Sequence, residues 1–149
     1  MIARIAILGG SSVYTPQFLQ SLISHNLNVK EIVLYGREGE KLPIVTAFCQ
    51  RLVHRSGFPI EVRASTSLEE AVAGAEYVLN HVRVGGLRAR LRDEKLPIKQ
   101  GMVGDENLGA GGFANAMRTL PVVFDFAKRI EAVNPECTFI NLTNPMGVV

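Results

Sequence analysis

Apolar residues in this chain come in short runs that alternate with longer stretches spaced three and four apart. Ile2 to Leu8 is apolar except for Arg4 and stops at Gly9-Gly10, the pattern of a parallel strand buried on both faces. Thr15-Pro16 follows as a helix start, with threonine as N-cap and proline at the first helical position, and Phe18, Leu19, Leu22, Ile23 and Leu27 keep helical spacing. A second strand is expected over Glu31 to Tyr35, ending at Gly36, and a second helix through Leu42, Val45, Phe48, Leu52 and Val53, ended by Gly57. Pro59 to Ala64 reads as a third strand near a sheet edge, where proline is tolerated. Ser67-Leu68-Glu69-Glu70 has the form of a capping box. Strands are expected from about Tyr77 to Val82 and from Cys137 to Leu142, with a helix from Phe113 to Val133 that Pro121 kinks or divides.

Strands alternating with helices predict an α/β fold, an open, doubly wound parallel sheet of the Rossmann-like kind, with about five strands in the order 3-2-1-4-5. Ligands in such sheets bind at the carboxyl ends of the strands. Four informative loops leave that edge: residues 9–15, 36–39, 83–112 and 143–147.

The third of these loops is unusual. Connections in compact domains run to about two to six residues, and here roughly thirty separate strand four from the next long helix. They hold Arg83, Arg88, Arg90, Arg92, Asp93, Glu94, Asp105, Glu106 and a run of glycines between Gly101 and Gly112. A long, charged, glycine-dense insertion on the ligand edge is where such a protein keeps a site. Pro97 is expected to confine a helix in it to about Leu87 to Lys95. Arg88, Arg92 and Lys95 then form a solvated stripe. Arg90, turned about 200° from Arg88 at 3.6 residues per turn, is the better candidate for an anionic ligand.

Composition narrows the class of function. The chain has 149 residues, one domain of ordinary size, with 47% hydrophobic and 20% charged residues and a net charge of +2. Basic and acidic residues are too balanced to suggest nucleic acid, and the first apolar run is too short to span a membrane. Cys49 and Cys137 lack zinc or disulfide spacing and read as buried, reduced core residues. His25, His54 and His81 show no ligand spacing either. A cytoplasmic protein is expected.

Two places suggest nucleotide chemistry. Gly9-Gly10-Ser11-Ser12 joins a strand to a helix, where a pyrophosphate meets backbone N–H groups and the helix dipole. The match to the dinucleotide pattern is imperfect, since Ser11 stands at the close-approach glycine and Tyr14 at the third. At the end of strand two, NAD-binding domains place a carboxylate for the ribose hydroxyls. This chain has Gly36-Arg37, which removes a charge that repels a 2′-phosphate and adds one that pairs with it, so NADP is admitted beside NAD. Asn144-Pro145, at the end of strand five, puts an amide that both donates and accepts at the ligand edge.

Together the segments I-x-I-L-G-G-x-S-x-Y-T-P, R-V-G-G-L-x-A-R-x-x-D-E with P-I-K-x-G, G-x-E-x-x-G-x-G-G with R-T-L-P, and N-L-T-N-P resemble the NAD- and metal-dependent glycoside hydrolases of family 4. Within it the 6-phospho-glucosidases are the most similar, and a 6-phospho-beta-glucosidase is expected. The resemblance covers nearly the whole chain. It implies cleavage by transient oxidation of the sugar at C3 by NAD, removal of the C2 proton, elimination at C1 and addition of water, with a divalent metal, usually manganese, polarising the C3 carbonyl. On it, Gly9, Gly10, Ser11 and Ser12 line the cofactor, and Arg90 contacts substrate at its 6-phosphate. Glu106 tunes a tyrosine base, and Asn144 holds sugar hydroxyls beside the metal. The substrate is then a small phosphorylated glycoside, and the full-length protein a homo-oligomer.

Three residues depart from the family pattern: Ser11 replaces a glycine, Gly36 an acid and Asp105 a glutamine. The family's metal-binding Cys and His and its tyrosine fall after residue 149. The chain therefore reads as the dinucleotide-binding part of a longer enzyme, inactive by itself and with no metal site of its own. Two rival readings are a lactate- or malate-dehydrogenase-like oxidoreductase domain, which shares the sheet and an Asn-Pro after strand five, and a non-catalytic nucleotide-binding module.

Overall fold

The computed structural model describes residues 1–149. In chain order the elements are β1 (Ile2–Leu8), α1 (Thr15–Ser24), β2 (Val29–Tyr35), α2 (Lys41–Ser56), β3 (Glu61–Ser65), α3 (Leu68–Val72), β4 (Tyr77–Asn80), α4 (Gly86–Ile98), α5 (Gly109–Val133) and β5 (Thr138–Asn141). The sheet has the order β3-β2-β1-β4-β5. Ile5 of β1 pairs with Ile32 of β2 and with Tyr77 of β4, both in parallel. The chain divides into two compact units, Met1–Asn80 with Arg129–Ile140, and His81–Lys128 with Asn141–Val149.

The first unit is built on the apolar strand runs. Ile5, Ile7, Ile32 and Leu34 are buried on the sheet and pack with Leu19 and Leu22 of α1 and Leu42, Cys49 and Val53 of α2. Burial pushes the Cys49 thiol up to about 11. Cys137 is only half-buried, because it sits at the turn before β5. On the sheet, Glu31 accepts from Arg4 and from Arg63, the latter at 2.6 Å. Burial raises the Glu31 carboxyl, but the hydrogen bonds from Arg63 and Arg4 outweigh it and hold the group below its ordinary value.

Helix ends follow local chemistry. Gly57 ends α2 in the left-handed region at φ 73°, as glycine allows. The Ser67 hydroxyl accepts from the Glu70 N–H at 3.2 Å. The return half of the capping box is made differently: Ser65 Oγ accepts the Ser67 N–H at 3.1 Å and donates to Glu70 at 2.7 Å. Thr15 is not the cap of α1 but its first residue, preceded by Tyr14. The turn rolls straight into the helix, with the Thr15 N–H donating to the Ser12 carbonyl at 3.1 Å.

In the second unit neither Pro97 nor Pro121 breaks its helix. Pro97 lies inside α4, in its last turn, where few helical bonds remain to be lost. Pro121 does not divide α5, which runs 25 residues unbroken. Pro121 is exposed and so is Met117 one turn earlier, which places the lost bond on the exposed side of the helix. The start of α5 falls four residues before the expected Phe113, because Asp105 Oδ1 accepts the N–H groups of Asn107 at 2.5 Å and Leu108 at 3.3 Å and turns the chain into the helix. No helix is long and apolar enough to cross a membrane.

Candidate functional site

The turn after β1 is set by close backbone approach. A Cβ on Gly10 would lie 2.7 Å from Leu34 Cβ and 2.8 Å from its Cα, so only glycine fits. Gly9 adopts φ 89°. The N–H groups of both glycines donate inward to the Tyr35 carbonyl, at 3.1 and 2.8 Å, and Ser12 N–H closes on the Gly9 carbonyl at 2.9 Å. The glycines thus shape the turn, and the N–H groups of Ser11 and Val13 are the ones left without a partner in the chain. Thr15, fully buried at the start of α1, has a hydroxyl with no hydrogen-bond partner. A buried unpaired hydroxyl beside unpaired N–H groups at a helix N-terminus fits a phosphate-bearing ligand.

At the ends of β2 and β3 lies a cleft of about 400 Å³ lined by Arg37, Glu38, Leu42, Ser65, Thr66 and Glu70. Gly36 is buried and donates its N–H to the Ser65 carbonyl at 3.2 Å.

The second unit gathers charge around Glu106, which is 6% exposed. Arg83 donates to Glu106 Oε2 at 2.5 Å, Arg90 Nε stands 3.4 Å from the same oxygen, and Asn144 Nδ2 donates to Oε1 at 3.5 Å. Burial pushes the Glu106 carboxyl up, but the Arg83 hydrogen bond and the charges of Arg83 and Arg90 prevail and hold it below its ordinary value. The result is a carboxylate kept ionised in a mostly dry setting. Arg90 also donates to Glu94 at 2.7 Å, while Arg88, Arg92 and Lys95 are exposed, as their helical positions predicted.

Beneath the cluster, Asn115 Nδ2 donates to the main-chain carbonyls of Glu106 and Asn144, 3.2 Å each. Its Oδ1 accepts from Arg118 at 3.2 Å and from Thr119 at 3.1 Å. Asn144-Pro145 is a cis peptide. Gly111 and Gly112 lie against the loop before α5, where a Cβ would collide with the Asp105 carbonyl and with the Asn107 backbone.

The sequence profile of the family 4 glycosyl hydrolases matches residues 4–149. The chain belongs to glycosyl hydrolase family 4. Among relatives in the family, the 6-phospho-beta-glucosidase of Escherichia coli is 39% identical over 98% of this chain and 33% of its own length. A phospho-alpha-glucosidase of Clostridium acetobutylicum is 36% identical over 97% of the chain and 33% of its length. The chain thus spans about a third of the curated relatives it matches. The solved 6-phospho-beta-glucosidase of Thermotoga maritima, with NAD and glucose-6-phosphate, is 38% identical with a TM-score of 0.88 over 99% of this chain and 35% of that one. A malate dehydrogenase of Salinibacter ruber, 12% identical with a TM-score of 0.63, shares the fold alone. Family membership sets the chain apart from the dehydrogenases, whose likeness to it is one of fold.

Of the residues singled out from sequence, Arg90, Glu106 and Asn144 come together in the second unit, and Gly9, Gly10, Ser11 and Ser12 form the turn of the first. Arg37 lines the cleft at the ends of β2 and β3. Sequence reasoning missed the supports: Arg83, which makes the shortest contact to Glu106, and Asn115 and Arg118. Their partners lie 9 to 34 residues away, beyond any local spacing rule. No three His, Cys, Asp or Glu side chains are grouped to hold a metal, so these residues do not fit a metal site by themselves.

Proposed function

We propose that residues 1–149 are the cofactor-binding part of a 6-phospho-glucosidase that hydrolyses the O-glycosyl bond of a small phosphorylated glycoside, with NAD. Several relatives at 38–39% identity are named 6-phospho-beta-glucosidases, which favours the beta anomer. The observation that carries the reading is Glu106, buried, ionised and ringed by Arg83, Arg90 and Asn144.

The nicotinamide group supplies reversible hydride chemistry at a sugar carbon. This chain's part is to bind and orient. Ser11 and Val13 present N–H groups to the pyrophosphate, Thr15 offers its unpaired hydroxyl, and Gly10 keeps the turn low enough for close approach. The Glu106 carboxylate raises the basicity of a neighbouring proton acceptor, since a nearby negative charge favours its protonated form. Asn144 holds sugar hydroxyls, and Arg90 neutralises the phosphate. A sugar phosphate and NAD as reactants fit a cytoplasmic enzyme. The exposed apolar face of α5, with Phe113, Met117 and Phe124, fits a homo-oligomer.

The test is an assay of the full-length protein carrying these residues on nitrophenyl 6-phospho-β-glucoside and its unphosphorylated counterpart. Cleavage only of the phosphorylated compound and only with a nicotinamide dinucleotide present is expected. Equal cleavage of both, or cleavage after the nucleotide is stripped, overturns the reading.

A further inference from the structure

The nucleotide cleft at the ends of β2 and β3 lacks the group that reads a plain ribose. Gly36, the residue after β2, is buried, and a Cβ there would press within 3.2 Å of Leu42 Cδ1. No carboxylate reaches the cleft from this position. The next residue, Arg37, lines the cleft and is exposed, with no acidic partner in the chain. Two carboxylates share the lining. Glu70 is already engaged, by Arg63 at 2.9 Å and by the Ser65 hydroxyl at 2.7 Å, so its charge is offset. Glu38 is exposed and screened by water. Thr66, also exposed at the lining, has a hydroxyl with no partner in the chain.

An unpaired guanidinium and an unpaired hydroxyl on a cleft from which the ribose-reading acid is missing are complementary to a phosphate dianion. We propose that this cleft takes the 2′-phosphate of NADP, with Arg37 as its partner and Thr66 as a second donor, so that the chain prefers NADP to NAD. This rests on the reading of the chain as a dinucleotide-binding domain and adds the specificity of that site.

The experiment is a calorimetric titration of the 149-residue chain with NAD⁺, NADP⁺, 5′-AMP and adenosine 2′,5′-bisphosphate at one ionic strength. NADP⁺ is expected to bind about tenfold or more tightly than NAD⁺, and the bisphosphate to exceed 5′-AMP by a similar factor. Arg37→Gln, an exposed change that leaves the fold alone, is expected to abolish that preference while NAD⁺ binding stays within about twofold, and Arg37→Lys to keep part of it. Equal or tighter NAD⁺ binding overturns the 2′-phosphate site and leaves the dinucleotide reading standing. A preference that survives Arg37→Gln also overturns it. Binding of neither dinucleotide overturns both.

Discussion

Arg118 grips both carboxylate oxygens of Asp93, Nη2 to Oδ2 at 2.5 Å and Nη1 to Oδ1 at 3.1 Å. Asp93 is 4% exposed. The same guanidinium donates through Nε to the Val84 carbonyl at 2.9 Å and reaches Asn115. One side chain of α5 therefore fixes α4, the loop before it and the amide beneath Glu106.

Arg118→Lys removes the planar fork and leaves Asp93 half-satisfied in a buried place. We expect a loss of about 2 kcal/mol, below the full cost of breaking a buried pair because Arg118 is partly exposed. Urea unfolding of the chain measures it, and a change within error would show that the pair is dispensable.

Glu106→Gln keeps the shape but leaves Arg83 and Arg90 facing a neutral amide. In the full-length enzyme we expect turnover to fall at least about tenfold, with nucleotide affinity unchanged. The pH dependence has a definite sign. The folded carboxyl lies below its ordinary value of 4.5, so its stabilisation is complete above that value and is lost as pH falls through the folded one. The stability gap between the unchanged protein and its Glu106→Gln variant is accordingly widest near neutral pH and closes in acid. A gap that grows on acidification would contradict this.

Gly10→Ala drives a methyl into Leu34 on the neighbouring strand. The chain is expected to lose about 1–3 kcal/mol and its nucleotide affinity with it. Ser11→Ala, which removes a partly exposed hydroxyl next door, should leave thermal stability nearly unchanged. Calorimetry on the two variants separates the effects.

Thr15→Val replaces a buried hydroxyl that has no partner by a methyl of the same size. The free chain should be as stable or more so. Affinity for the nucleotide should drop several-fold if the hydroxyl meets it there, measured by titration against the unchanged chain.

Much of the fold was legible because buried parallel strands write themselves as unbroken apolar runs. The strand order and the end of α2 at Gly57 followed from that pattern and from glycine's left-handed freedom. The prolines weigh less than their rule suggests. Pro121 costs α5 one main-chain bond on its exposed side, and Pro97 comes where α4 has almost finished, so neither stops its helix. In the second unit, the angular position of Arg90 pointed it away from the solvated stripe, and family motifs singled out Glu106 and Asn144. What local spacing did not reveal was the role of the support beneath them: Arg83, Asn115 and Arg118 act through contacts between segments distant in the chain, which depend on how the helices pack.

The peptide unit between Tyr35 and Gly36 is held from both sides, its carbonyl by Gly9 and Gly10 and its N–H by the Ser65 carbonyl. All of these bonds belong to the main chain. The frame of the cleft is therefore built without the side chain of Arg37, which is exposed. Evolution can exchange the residue at position 37, and with it the charge at the mouth of the cleft, without rebuilding the turn after β1.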